Sequence, residues 1–152
     1  MDRACSFCAI IEKRESCIVV ESELAVALND AFPVSPGHML VVPRRHIASF
    51  FDATEEEILA CYRLIRTCRT MLDSTRHPDG YNIGINIGRP AGQTVFHLHI
   101  HVIPRYAGDV RSPRGGVRHV IHGKGDYLPI QNSEKIDPST SGGVVSPIID
   151  PR

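Results

Sequence analysis

The chain has 152 residues, with 17 Lys and Arg balancing 17 Asp and Glu. That length suits one domain with a buried core, and zero net charge argues against an electrostatically driven nucleic-acid or membrane binder. No run of about 18 apolar residues is present, and the N-terminus lacks the apolar stretch of a signal peptide, so a cytoplasmic protein is expected.

Cys5 and Cys8 form a Cys-x-x-Cys pair. By itself it is ambiguous. A redox motif needs a βαβ context that is missing here, and a zinc half-site needs two more ligands elsewhere. An odd total of five cysteines favours thiols or metal ligation over disulfides. Residues 17–20 and 24–29 read as short strands joined by Glu21-Ser22-Glu23. The stretch 29–37, with two prolines and a glycine, reads as a loop. A third strand spans 38–42 and ends at Pro43.

Thr54 and Glu57 have the spacing of a capping box, and Glu55, Glu56 and Glu57 lie at the positive end of the helix dipole. Ile58, Cys61, Ile65, Cys68 and Leu72 then repeat at helical spacing as one apolar stripe. Cys61 and Cys68 read as small core residues and the intervening arginines as a solvated face. After Pro78-Asp79-Gly80, residues 81–87 alternate as a fourth strand, with Ile83, Ile85 and Ile87 on one face.

Residues 93–105 carry the densest chemistry. His97, His99 and His101 follow i, i+2, i+4 spacing, with Leu98, Ile100 and Val102 between them. In a strand the three imidazoles share one face and the aliphatic side chains pack behind. Imidazole serves near neutral pH as nucleophile, acid, base or ligand, so the strand alone does not choose a role. The expected fold is α+β: a five-stranded antiparallel meander with one long helix inserted. One domain is expected over residues 1–128, with a core of about 5–105 and an Arg/Gly-rich extension at 106–128; 129–152 reads as a disordered tail. In the extension, Arg114-Gly115-Gly116-Val117-Arg118 reads equally as a surface loop and as a phosphate clamp.

The stretch His97-Leu98-His99-Ile100-His101-Val102-Ile103, preceded by Gly92-Gln93-Thr94, resembles the signature of the histidine triad nucleotide hydrolases and transferases. The likeness runs from about Cys5 to Arg105. It implies a nucleophile at His99 that forms a covalent nucleotidyl intermediate, oriented by a backbone carbonyl near the first histidine. It implies that His101 contacts phosphate and moves a proton, and that Gln93 assists. Nucleotide contacts are implied at Asp30 (ribose), Asn86, Gly92, Gln93, Thr94 and His101, and Phe7, Ile11, Leu28 and Ile47 are candidate walls of a base pocket.

Some bacterial members of that family, and related uridylyltransferases, hold structural zinc. The matching set here is Cys5, Cys8, His46 and His97, a closed Cys2His2 complement. The expected activity is hydrolysis at a nucleotide α-phosphate, with a dinucleoside polyphosphate such as diadenosine tetraphosphate as substrate. Arg114 and Arg118 would favour its long anionic leaving group. Transfer of the nucleotidyl group to phosphate or another acceptor is the alternative, and a non-catalytic zinc or nucleotide-binding module a third reading. A homodimer is implied by resemblance alone.

Overall fold

A computed structural model of the chain describes residues 5–125. The expected tail at 129–152, and the last residues of the extension, lie outside this range. In chain order the principal elements are α1 (Ser6–Lys13), β1 (Ile18–Glu21), β2 (Ala25–Asn29), β3 (Met39–Pro43), α2 (Glu55–Thr75), β4 (Gly80–Gly84) and β5 (Ile100–Arg105). Short 3-10 turns lie at Phe50–Asp52, Arg89–Ala91 and Gly116–Val120.

The α+β class is as expected. All strand pairs are antiparallel, in the order β1-β2-β3-β5-β4. The order departs from a simple meander at one point. After α2 the chain lands on the outer edge as β4, and β5 returns between β4 and β3. The strand that carries His101 and follows the other two triad histidines is therefore interior to the sheet, where backbone pairing on both sides fixes it.

Each face of the sheet has its own cover. Ala25, Ala27, Met39, Val41, Ile100 and Val102 pack against Cys61, Leu64, Cys68 and Leu72 of α2. On the opposite face Val26, Leu28, Leu40 and Val42 pack against Phe7, Cys8 and Ile11 of α1 and against Cys5, which immediately precedes it. Burial on both faces explains why β2 and β3 read as continuous apolar runs rather than alternating ones.

Helix α2 begins as expected. Glu57 N–H donates to Thr54 Oγ1 at 3.3 Å and Thr54 N–H donates to a Glu57 carboxylate oxygen at 2.9 Å. Its buried stripe is rotated from the expected one: Leu64 is buried, whereas Ile58 and Ile65 are only partly so. Helix α1 carried no expectation, although Phe7, Cys8 and Ile11 have helical spacing.

Two strands are shorter than expected. β4 pairs only over Gly80–Gly84, so residues 85–87 leave the ladder. β5 pairs only from Ile100 onward, opposite Val41 of β3. Residues 97–99 are instead diverted towards the 43–47 segment, where Leu98 N–H donates to Ile47 O at 2.6 Å. Gly37 is required where it stands: its φ is +87°, and a Cβ there would lie 2.7 Å from Leu72 Cδ2. The turn it makes delivers His38 to the start of β3.

Candidate functional site

Register decides which side chains gather on the face opposite α2. His101 lies opposite Leu40 on one side and Gly84 on the other, and cross-strand partners share a face. His101 therefore shares the α1 side of the sheet with Leu40. Gly84 leaves its neighbour uncovered, which opens that face to a ligand.

At the start of the triad, four groups converge. His97 Nδ1 lies 3.4 Å from Cys5 Sγ and 3.6 Å from Cys8 Sγ, and His46 Nδ1 lies 3.2 Å from Cys8 Sγ. All four ligand atoms fall within 4.8 Å of one another. A tetrahedral ion with Zn–S of about 2.3 Å and Zn–N of about 2.0 Å sets its ligand atoms about 3.6 Å apart. The observed spacings lie close to that edge. The tautomer fits as well: His97 Nε2–H donates to Pro43 O at 2.8 Å, which leaves the Nδ1 lone pair for a metal. His97 is fully buried, and that burial holds its pKa below the usual histidine value. The start of α1 supplies Cys8 and, from the residue before the helix, Cys5, and the post-β3 segment supplies His46, so the cluster joins three separate pieces of chain.

His99 follows. Its Nδ1–H donates to the carbonyl of His97 at 2.8 Å. The proton is thus fixed on Nδ1, and Nε2 keeps its lone pair outward, as a nucleophile requires. The Phe7 ring packs against it with centroids 5.2 Å apart.

His101 is tied back differently. Its Nδ1 lies 3.0 Å from His38 Nε2, and His38 Nδ1 lies 3.2 Å from Asp30 Oδ2. Val34 N–H also points at His38 Nδ1, at 3.3 Å, so this nitrogen faces a backbone donor and a carboxylate acceptor at once. The charged acceptor is the stronger partner, so we place the proton on His38 Nδ1, where Asp30 Oδ2 accepts it. His38 Nε2 then accepts from His101 Nδ1–H, and His101, like His99, presents Nε2 outward. Burial lowers the pKa of both His38 and His101. The neighbouring His99 and His38 lower that of His101 further, while Asp30 opposes the shift. Asp30, His38 and His101 also contain enough ligand atoms for a metal. However, His38 turns one nitrogen to each partner, on opposite ring edges, and that geometry is a proton relay rather than a chelate.

His38 was not among the candidates from sequence. Its signal is faint: it alternates with Leu40 and Val42, but only the β3–β5 register puts that face beside His101.

The other candidates are distributed as follows. Asp30 sits at the mouth of the relay. Its Oδ1 accepts from Phe32 N–H at 2.9 Å, so a loop turn coexists with the His38 contact. A carboxylate has about four lone-pair sites, which leaves capacity for hydroxyl donors. Gln93 is buried and its amide is occupied by backbone. Oε1 accepts from Gly88 N–H at 2.7 Å, and Nε2 donates to Ala48 O at 2.8 Å and Val95 O at 3.3 Å. Its side chain thus pins the 88–95 loop. Gly92 has φ +88°, close to Asn86, whose Nδ2 would lie 3.9 Å from a Cβ there. Thr94 is exposed on the same loop. Phe7, Ile11, Leu28 and Ile47 are all buried; Phe7, Ile11 and Leu28 belong to the core beneath α1. The Arg114–Arg118 segment folds back on the sheet beside Asn82, with the Arg118 guanidinium on Gly125 O at 3.3 Å. Arg114 is exposed, and its carbonyl accepts from His119 Nε2–H at 2.6 Å.

Comparison with known proteins fits this geometry. The HIT domain model matches residues 12–108. An uncharacterized HIT-like protein of Saccharolobus solfataricus is 40% identical over 106 residues, covering 69% of this chain and 76% of that protein. A Mycobacterium tuberculosis protein named AP-4-A phosphorylase is 32% identical over 100 residues; the match covers 65% of this chain and 51% of that protein. A crystal structure of a HIT family protein from Bacillus anthracis superposes with TM-score 0.67 at 35% identity, covering 72% of this chain and 78% of that one. A zinc-bound histidine triad family protein from Mycobacterium smegmatis gives TM-score 0.65 at 35% identity, covering 72% and 80%. Cys5 and Cys8 fall outside the span of the domain match, whereas His46 and His97 lie within it.

Proposed function

The chain belongs to the HIT domain family of nucleotide-processing enzymes, and from that premise we propose that it is a hydrolase acting at the α-phosphate of a nucleotide conjugate. The substrate class is a dinucleoside polyphosphate such as diadenosine tetraphosphate. The observation that carries this reading is the 2.8 Å bond from His99 Nδ1–H to His97 O, which leaves Nε2 free to attack.

His99 Nε2 forms the N–P bond as the P–O bond to the leaving group breaks. The electron pair stays on the leaving oxygen, which needs no proton when it belongs to a polyphosphate. Water then attacks the nucleotidyl-His99 phosphorus. Its proton passes to His101 Nε2, the N–P bond breaks, and His99 recovers its lone pair. The lowered pKa of His101 suits it to be a neutral base before this step. His38 and Asp30 stabilise the imidazolium that follows. Asp30 binds the ribose hydroxyls, and the loop bearing Asn86, Gly92 and Thr94, pinned by Gln93, meets the phosphate. Arg114, with Arg118 holding its loop closed, supplies positive charge for a long leaving group.

Phosphate in place of water would make the enzyme a phosphorylase. The 32% identity to AP-4-A phosphorylase of Mycobacterium tuberculosis supports that second reading. Product analysis on dinucleoside polyphosphates and nucleoside phosphoramidates, with and without added phosphate, separates the two. Turnover by a His99→Ala variant would exclude both.

Cys5, Cys8, His46 and His97 are proposed to hold one structural zinc ion, which would supply a cross-link between α1, the post-β3 segment and the triad. A homodimer is also proposed. It is supported by the unpaired outer edge of β4, with Ile83 49% exposed, beside the exposed α2 residues Leu59 and Tyr62. No disulfide joins the five cysteines, all of which lie among the described residues, and this suits a cytoplasmic setting. Among the described residues no helix is long and apolar enough to cross a membrane.

A further inference from the structure

Arg45 and Glu57 form a contact that none of the chemistry above uses. Arg45 Nε–H and an Nη2–H donate to the two carboxylate oxygens of Glu57, both at 2.7 Å. Arg45 Nη2–H also donates to Asp52 O at 3.0 Å. This is a bidentate fork on a carboxylate whose side chain is only 7% exposed. One of its oxygens also accepts from Thr54 N–H as half of the capping box. Glu57 is thus shared between two structures, the first turn of α2 and the residue preceding His46. The Arg45 bond is the main reason its carboxyl titrates below the usual range.

The position of Arg45 gives this contact its meaning. Two residues before it, Pro43 O receives His97 Nε2–H, and one residue after it stands His46. The segment from Pro43 to His46 therefore supplies one metal ligand and orients a second. A ligand set binds tightly when its members are already in place, and supports behind the ligands commonly change metal affinity by about 10–100-fold. The fork holds this segment to the start of a 21-residue helix that packs against the sheet.

We propose that Arg45 and Glu57 are positioning residues for the zinc site, preorganising His46 and the Pro43 carbonyl by clamping their segment to the N-terminus of α2. The proposal rests on the zinc reading above. A single carboxylate thus has two separable tasks, closing the capping box and fixing the metal-bearing loop. Arginine is required rather than any cation, since only the planar fork can engage both oxygens.

The test is zinc release from the full-length, zinc-loaded protein into a chromophoric chelator, with thermal unfolding measured in parallel. Arg45→Ala and Glu57→Gln are expected to speed release about tenfold or more, and Arg45→Lys by an intermediate amount. Thr54→Ala is the control. It removes the other half of the capping box and lowers the melting temperature while leaving the fork intact, so its release rate should match the wild type. If Thr54→Ala releases zinc as fast as Arg45→Ala, zinc retention follows helix stability alone and the proposal is overturned. Wild-type release rates in both Arg45→Ala and Glu57→Gln would overturn it as well. Should the wild-type protein take up no zinc at all, the zinc reading itself falls and the clamp proposal with it, a result distinct from either of the others.

Discussion

His38 Nε2 and His101 Nδ1 lie 3.0 Å apart although 63 residues separate them in the chain. The contact joins the residue just before β3 to the second residue of β5, and Asp30 extends it by a further step of 3.2 Å. His101 is therefore one end of a three-residue relay.

The first prediction concerns that relay. A His38→Gln variant cannot take up the proton that the His101 imidazolium shares, although its amide fills similar space. We expect kcat to fall by roughly 10–100-fold, within the range of general acid–base contributions, with a smaller change in KM. Steady-state kinetics on a nucleoside phosphoramidate and on diadenosine tetraphosphate measure both. An unchanged kcat on both substrates would leave His38 a purely structural residue.

Stability should depend on pH through the same pair. Burial lowers the folded-state pKa of His38 and His101 below the unfolded value of about 6.5. The native state then binds fewer protons than the unfolded one in this range, so stability rises with pH. It is fully present above pH of about 6.5 and declines as pH falls below that value. Thermal melts from neutral to mildly acidic pH should show this decline, and His38→Gln should flatten it. A melting temperature that rises on acidification would contradict the assigned direction.

Removing metal should cost stability, because an ion bound only by the folded state stabilises it by mass action. At free zinc a thousandfold above its dissociation constant that amounts to about 4 kcal/mol, or roughly 10 °C in melting temperature for a chain of this size. Chelator-treated protein and a Cys8→Ser variant should melt lower by comparable amounts, and the variant should gain nothing from added zinc. Restoration of the Cys8→Ser melting temperature by zinc would argue against the four-ligand set.

Gly37→Ala is expected to destabilise the fold by about 1–3 kcal/mol, the usual cost of a strained backbone position. The φ of +87° disfavours any side chain, and the new Cβ would lie 2.7 Å from Leu72 Cδ2. Because Gly37 precedes His38, activity should fall further than the lost stability explains. Denaturant unfolding together with kcat at a temperature where the variant is fully folded would separate the two effects.

Cys61 and Cys68 are fully buried, and burial pushes both thiols up to about 11. Since the thiolate is the reactive form, neither should react with a thiol reagent until the protein unfolds. Mass spectrometry of the native, labelled protein would detect modification at either position. Labelling of Cys61 or Cys68 without unfolding would show that α2 separates from the sheet.

By itself, the sequence determined what local pattern can express. Thr54 and Glu57 announced the start of α2, since a capping box is closed within four residues. The period-2 alternation of His97 to Val102 announced the histidine cluster, although only the part from Ile100 onward pairs as a strand. Cys5 and Cys8 stood out as an ambiguous Cys-x-x-Cys pair, but their partner His46, like Asp30, became a candidate only through resemblance, because nothing in the local sequence says what these residues meet. Tertiary structure alone decided the rest. It put β5 between β3 and β4, diverted residues 97–99 out of the ladder so that His97 meets the cysteines, and turned the Gln93 amide onto backbone. It also brought His38 to His101 and Arg45 to Glu57. Each of these contacts depends on strand register or on how a helix sits on the sheet, and those are fixed by packing and backbone pairing between residues far apart in the chain.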